Sequence, residues 1–239
     1  MMKESGSTVV FTGAGISTES GIPDFRSPGG IWSQSKPVFF DEFLRSAEAR
    51  RESWRQKEIV HRDFSQAAPN AGHRAIARWE SAGLIDGVIT QNIDGLHQAA
   101  GNEAVLELHG TARAIACLTC EARYDVDSMM NLFRQTGEPP ECPQCGGYLK
   151  SATVSFGQPL PEDILLDSIR MAEQCELFLA IGSSLVVEPA ASLPRSAKRR
   201  GARLIIINRD STPLDDQADR VYREAIGAFL TEVDQLLRR

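Results

Sequence analysis

The chain has 239 residues, 42% of them hydrophobic and 24% charged, with a formal net charge of −6. That length buries a substantial core in one ordinary domain with a smaller appendage, and the acid excess argues against broad nucleic-acid binding, which calls for a basic balance. No apolar run approaches the ~18–20 residues of a membrane span, and Met1-Met2-Lys3-Glu4-Ser5-Gly6 lacks the apolar centre of a secretory signal, so a cytoplasmic protein is expected.

Residues 7–14 read as a strand buried on both faces, ending in the glycine-rich turn Thr12-Gly13-Ala14-Gly15. From Pro37 to about Gln66 the pattern is helical and strongly charged, with Phe40, Phe43, Leu44, Trp54, Ile59 and Phe64 as its apolar positions. Asn70 is a candidate N-cap for a helix carrying His73, Ile76 and Ala77. Strand-like runs follow at Ile85–Thr90 and Ala104–Leu108, separated by a short helical piece around Leu96. Residues 113–150 change character, with cysteines, Pro139-Pro140, Gly146-Gly147 and a short helix near Ser128–Arg134. The alternation then resumes with strands at Ala152–Phe156, Glu176–Ile181, Arg203–Ile207 and Asp219–Tyr222. Helices are expected over Pro161–Cys175, within Pro189–Arg200, and at the C-terminus, where Ile226, Phe229, Leu230, Val233 and Leu237 share a face.

Strands alternating with helices imply an α/β fold with a mostly parallel sheet covered on both sides. The layout is a Rossmann-like domain (1–36, 67–112 and 152–239) interrupted by a helical insert at 37–66 and a cysteine-bearing insert at 113–151.

Five cysteines in a chain of this kind suggest metal or catalysis before disulfides. Cys117-Leu118-Thr119-Cys120 and Cys142-Pro143-Gln144-Cys145 are two CxxC turns, and two such turns complete a tetrahedron of thiolates about one zinc. With all four positions filled by cysteine no place is left for water, so the zinc is expected to be structural. Cys175, at a helix–strand junction, reads as ordinary core.

The remaining polar clusters fall at strand ends. Gly13 and Gly15 would let the backbone approach a pyrophosphate, although Thr18 replaces the third glycine of a dinucleotide fingerprint, which disfavours a hydride-transferring dehydrogenase. Gln91-Asn92-Ile93-Asp94 follows a strand directly, and ligands bind at that edge of open α/β sheets; capping of the short helix by Asn92 or Asp94 is the plainer account of the turn taken alone. His109, beside Gly110 at another strand end, suits a general base titrating near neutrality. Gly182-Ser183-Ser184 and Asn208-Arg209 end two further strands.

The string from Val9 to Arg26, Gln91-Asn92-Ile93-Asp94, His109-Gly110, the paired CxxC, Gly182-Ser183-Ser184 and Ile207-Asn208 occur in the order found in the sirtuins, which the chain resembles over residues 9 to about 210. The resemblance implies an NAD-dependent protein lysine deacylase. Such an enzyme joins a Rossmann-like domain to a smaller zinc-and-helix module and works in the cleft between them. It further implies that Gly13, Ala14, Ile16, Arg26 and Trp32 hold NAD, with Asp24 and Phe25 near nicotinamide. Gln91, Asn92, Ile93 and Asp94 line the ribose and nicotinamide pocket, and Gly182, Ser183, Ser184, Asn208, Arg209 and Ala225 surround the adenosine half. His109 is implied as general base, with Asn92 and Asp94 as further catalytic residues.

An acyl-lysine peptide would lie as an added strand between Val154-Ser155-Phe156-Gly157-Gln158 and Leu185-Val186-Val187-Glu188, so Val154, Phe156, Gly157, Leu185 and Val187 are the expected substrate contacts. Gln158 departs from the family's Glu, and the Tyr-x-x-Arg pair of succinyl-preferring relatives is missing. Its nearest counterpart is Trp54-Arg55-Gln56-Lys57, where Trp54 is expected in the core and Lys57 in solvent. Acetyl-lysine protein is the default substrate and a monomer the expected state. ADP-ribosyl transfer, NAD hydrolysis and a non-catalytic NAD sensor are the alternatives.

Overall fold

The computed structural model describes residues 2–24 and 36–238. Six parallel strands form one sheet: β1 (Thr8–Thr12), β2 (Gly87–Thr90), β3 (Val105–Glu107), β7 (Leu177–Ile181), β8 (Arg203–Ile207) and β9 (Arg220–Tyr222), in the order β3-β2-β1-β7-β8-β9. The crossovers carry α3 (Ala71–Ser81), α4 (Leu96–Ala100), α6 (Glu162–Gln174) and α7 (Ser192–Arg199), and α8 (Ile226–Leu237) follows the last strand. Asn70 caps α3 as its sequence predicts, its Oδ1 accepting from Gly72 N–H at 2.9 Å and His73 N–H at 3.3 Å.

Period two in the strands sends alternate side chains to two cores. Val9, Phe11, Phe178, Ala180, Leu204 and Ile206 pack on one face with Ala172 of α6 and Leu193 and Ala197 of α7. Val10, Val88, Leu179, Ile181, Ile205 and Ile207 pack on the other with Ala75, Ile76 and Trp79 of α3 and Ile226 and Leu230 of α8. Each fully buried chain of this size contributes about 1.5–3 kcal/mol, more than the ~1 kcal/mol span of strand propensity. Two-sided burial therefore holds β1 central. Cys175 lies in the first core as expected, and burial pushes its thiol up to about 12.

The second body is a three-stranded antiparallel sheet, β5 (Arg123–Asp125), β4 (Gly110–Cys117) and β6 (Leu149–Thr153), with α5 (Val126–Thr136) against it. Trp54, from the helix α2 (Ala47–Ser65) that follows α1 (Phe40–Arg45), completes its core with Ile115, Met130, Phe133 and Leu149. Trp54 Nε1–H donates to Leu149 O at 3.0 Å. Two sequence expectations change here. Residues 110–117 form a long strand that no clean alternation announces, because Ala114 and Ala116 offer little contrast between its faces. The strand expected at Ala152–Phe156 instead spans Leu149–Thr153, where β4 supplies the partner register Ile115↔Ser151 through Cys117↔Leu149. Residues 154–156 lie beyond it.

Candidate functional site

All six strands of the large sheet run the same way, so every strand-end loop emerges at one edge. Gly13, Gln91, His109, Gly182 and Asn208 are thereby gathered from five separate stretches of sequence. After β1 the chain turns into a 3₁₀ helix over Ala14–Ser20. Gly13 N–H donates to Ile181 O at 3.0 Å and Gly15 N–H to Gly182 O at 2.8 Å. A Cβ on Gly13 would stand 2.8 Å from Gly182 O, and one on Gly15 2.8 Å from Gly182 Cα. These glycines are needed because two loops lie backbone against backbone, a reason apart from any close approach to phosphate.

The Gln91–Asp94 turn is anchored from several sides. Asn92, 5% exposed, donates from Nδ2 to Gly13 O at 3.1 Å and to Ser17 Oγ at 3.2 Å. Asp94, 3% exposed, accepts Ser17 Oγ–H at 2.7 Å and Leu96 N–H at 2.9 Å, while the N-cap position of α4 is Gly95 rather than Asn92 or Asp94. Arg113 Nε–H donates to Asp94 O at 2.7 Å, while Ala112 N–H donates to Ile93 O at 2.8 Å. Gln91 Oε1 accepts Ser183 Oγ–H at 2.7 Å, which ties this turn to the Gly182 loop.

His109 stands between β3 and β4, where the two sheets meet. Its Nδ1 lies 2.9 Å from Gln91 O, and its own carbonyl accepts Val154 N–H at 2.8 Å. Gly110 next to it has φ +69°, and a Cβ there would come within 2.1 Å of Ala152 O, so only glycine fits. Nearby, burial raises the carboxyl of Glu107 at the end of β3.

Other predicted residues are placed less uniformly. Ala14 is half-buried and Ile16 is core, 1% exposed. Asp24 is half-buried at the last described residue of its loop; Phe25, Arg26 and Trp32 lie outside the described residues. Ser183 is buried and Ser184 exposed. Asn208 is half-buried, its Nδ2 donating to Asp210 O at 2.8 Å, and exposed Arg209 pairs with Asp210 at 3.1 Å. Ala225 is exposed at the N-cap of α8, whose Gly227 N–H is held by Glu19 Oε1 at 2.9 Å.

On the peptide side, Val154 and Val187 are half-buried, Gly157 is exposed, and Phe156 is 38% exposed against Phe39 with ring centroids 5.7 Å apart. Leu185 differs from expectation. The whole residue is buried in the core, at φ +54°. Lys57 also differs: it is 7% exposed, because it lies one turn beyond Trp54 on the inward face of α2. Its Nζ–H donates to Ala112 O, and burial, with Arg113 alongside, lowers it to about 8.

Ser17, Arg113 and His97 escape sequence reading. Ser17 is 1% exposed and joins Asn92 to Asp94, but a serine four residues past Gly13 looks like any loop hydroxyl.

The four sulfurs of Cys117, Cys120, Cys142 and Cys145 lie within 4.8 Å of one another, with Cys117–Cys145 at 3.5 Å and Cys120–Cys142 at 3.7 Å. A zinc with ~2.3 Å bonds to sulfur has tetrahedral edges of about 3.8 Å, so the donor set fits. Tyr124 Oη lies 3.0 Å from Cys142 Sγ.

A profile of the Sir2 family matches residues 13–189. The chain is 49% identical over 232 residues to an "NAD-dependent protein deacetylase" of Rhodopseudomonas palustris, covering 96% of this chain and 92% of that one. It is 51% identical over 232 residues to "NAD-dependent protein deacetylase 1" of Bradyrhizobium diazoefficiens, covering 96% and 91%. Among solved structures, "Sir2-p53 peptide-NAD+" superposes with a TM-score of 0.91 at 39% identity, covering 99% of this chain and 95% of that one. "Sir2 bound to acetylated peptide" gives 0.89 at 37%, covering 99% and 95%. With one strand-end site, one four-cysteine cluster and relatives alike over nearly their whole length, this chain belongs to the Sir2 family, the sirtuins.

Proposed function

We propose that the chain is an NAD-dependent protein lysine deacylase, with acetyl-lysine as its default substrate. The observation that carries this reading is the meeting of His109 with the Gln91–Asp94 turn at the shared strand edge. The relatives named as NAD-dependent protein deacetylases support it, as does the likeness to structures whose titles name NAD and acetylated peptide.

In the proposed reaction the acyl oxygen of the modified lysine attacks the ribose carbon of NAD, and the bond to nicotinamide breaks with its electron pair. Asn92 and the amide of Gln91 supply dipoles toward the cationic carbon. His109 Nε2 takes the proton of a ribose hydroxyl, whose oxygen attacks the imidate carbon; hydrolysis of that adduct leaves free lysine and acyl-ADP-ribose. Asp94, with both oxygens already hydrogen-bonded, acts by holding the turn. Gly13, Ala14, Ile16, Gly182, Ser183, Ser184, Asn208, Arg209 and Ala225 receive the dinucleotide; Val154, Phe156, Gly157 and Val187 flank the peptide, and Leu185 supports this segment from the core. The four cysteines hold a zinc that supports the small sheet and offers no open position for chemistry.

The division of the chain into 1–36, 67–112 and 152–239 against 37–66 and 113–151 belongs to the same proposal. It is supported by the core that Trp54 shares with the cysteine-bearing insert. A cytoplasmic location and a monomeric state belong to the same proposal.

Mass spectrometry of the products from NAD and an acetyl-lysine peptide tests the reading. Nicotinamide, free-lysine peptide and acetylated ADP-ribose are expected. Reversible formation of the reduced dinucleotide, or an ADP-ribosylated peptide that keeps its acetyl group, would overturn it.

A further inference from the structure

We infer that His97 is a positioning residue for the Gln91–Asp94 turn, acting through Thr12 and Thr90; the inference rests on the function proposed above. His97 is 1% exposed on α4, and no step of the reaction uses it. Its Nε2 lies 3.0 Å from Thr12 Oγ1. The hydroxyls of Thr12 and Thr90 are hydrogen-bonded to each other at 2.8 Å. The ring therefore reaches the threonine pair through Nε2, the end of the imidazole that a glutamine amide can imitate. Thr90 Oγ1 in turn accepts Asn92 N–H at 3.0 Å.

The two threonines are register partners at the carboxyl ends of β1 and β2, 0% and 2% exposed. The last sheet bond across this pair is Gln91 N–H to Thr12 O at 3.0 Å. Asn92 is the first residue past the ladder, and the Thr90 hydroxyl takes the place of a sheet partner for its peptide N–H. That bond orients the residue whose Nδ2 bridges Gly13 O and Ser17 Oγ. His97, packed edge-on to His73 of α3 with centroids 4.9 Å apart, keeps Thr12 in the rotamer the chain needs. Burial lowers both rings, to about 3 and about 4, His73 adding to the effect on His97 and Arg74 to that on His73. The relay therefore works with a neutral ring.

The test compares His97→Gln, His97→Asn and Thr12→Val in the full-length, zinc-loaded chain. A glutamine amide nitrogen reaches the place of Nε2, while that of asparagine stops short. Expected is a kcat for nicotinamide release within about twofold of wild type for His97→Gln. For His97→Asn and Thr12→Val it falls about tenfold or more at unchanged peptide KM. Exchange of labelled nicotinamide into NAD should fall in parallel. Amide hydrogen exchange at Asn92 reads the same relay whether or not the enzyme turns over. It should stay protected in His97→Gln and quicken in the other two. Wild-type kcat and Asn92 protection in His97→Asn and Thr12→Val would overturn the inference. So would equal losses in all three variants together with a lowered thermal midpoint, which is what a packing role produces. A wild-type chain that releases no nicotinamide overturns the functional reading alone.

Discussion

His109 Nδ1 stands 2.9 Å from the backbone oxygen of Gln91, and that contact sets the chemistry of the ring. A carbonyl oxygen only accepts, so Nδ1 carries the hydrogen and Nε2 is the basic nitrogen. The same Gln91 is tied by its side chain to Ser183, which links the base to the loop after β7.

His109→Ala should therefore lower deacylation by about 10²–10⁴-fold, the usual cost of losing a general base, while NAD still binds. Steady-state kinetics beside calorimetric NAD binding checks this. Wild-type turnover would remove His109 from the mechanism.

Asn92→Ala should act earlier and impair nicotinamide release itself. Ser17→Ala should follow it more weakly, because Ser17 donates to Asp94 and accepts from Asn92. A loss of about fivefold to tenfold in nicotinamide release fits one displaced hydrogen bond. Nicotinamide release unchanged in Asn92→Ala would sink the assigned role.

Stripping zinc with a strong chelator should abolish activity and the ordered small sheet together, since Cys117 and Cys142 are buried within its core. One zinc per chain is expected by elemental analysis. Tyr124→Phe should release zinc to a chelator severalfold faster, because the phenol hydrogen bond to Cys142 Sγ is lost. Metal-free protein that remained folded and fully active would exclude a structural site.

Acyl preference should favour neutral chains. A succinyl carboxylate loses water on binding and needs a fixed cation to meet it. Lys57 is a poor candidate because its ammonium is already given to Ala112 O. On one peptide backbone, kcat/KM should be on the order of tenfold or more higher for acetyl- than succinyl-lysine. A succinyl preference that vanishes in Lys57→Ala would show the opposite.

Lys150 offers a check on stability against pH. It is 3% exposed, donates to Ser151 O at 3.2 Å and to Thr153 O, and burial lowers it from 10.5 to about 8. Between those two values the unfolded chain still binds the proton that the folded chain has released, so this group makes stability climb from about pH 8 to 10.5. Lys150→Met should flatten that climb, seen as a change on the order of several °C in the pH dependence of the thermal midpoint. An identical profile in the variant would show that Lys150 is not the group responsible.

The strand ends, the glycine turn, the CxxC pairs and His109 were legible because each is written in a few adjacent residues. A β-branched run followed by glycine is a local signal, and so is a cysteine spacing. What lay outside reach depended on partners far along the chain. Leu149–Thr153 is a strand because residues 110–117 offer it a ladder, and neither stretch alternates strongly enough to say so. Gly13 and Gly15 are glycines because Gly182, some 170 residues on, lies against them. Leu185 turns inward under a positive φ, and Lys57 is drawn in by a carbonyl on β4. Ser17, Thr12 and His97 gain meaning only when β1, β2 and α4 close around one another. Propensity and periodicity report on neighbours within a turn or two, whereas close backbone approach and buried hydrogen bonds are settled where distant segments meet.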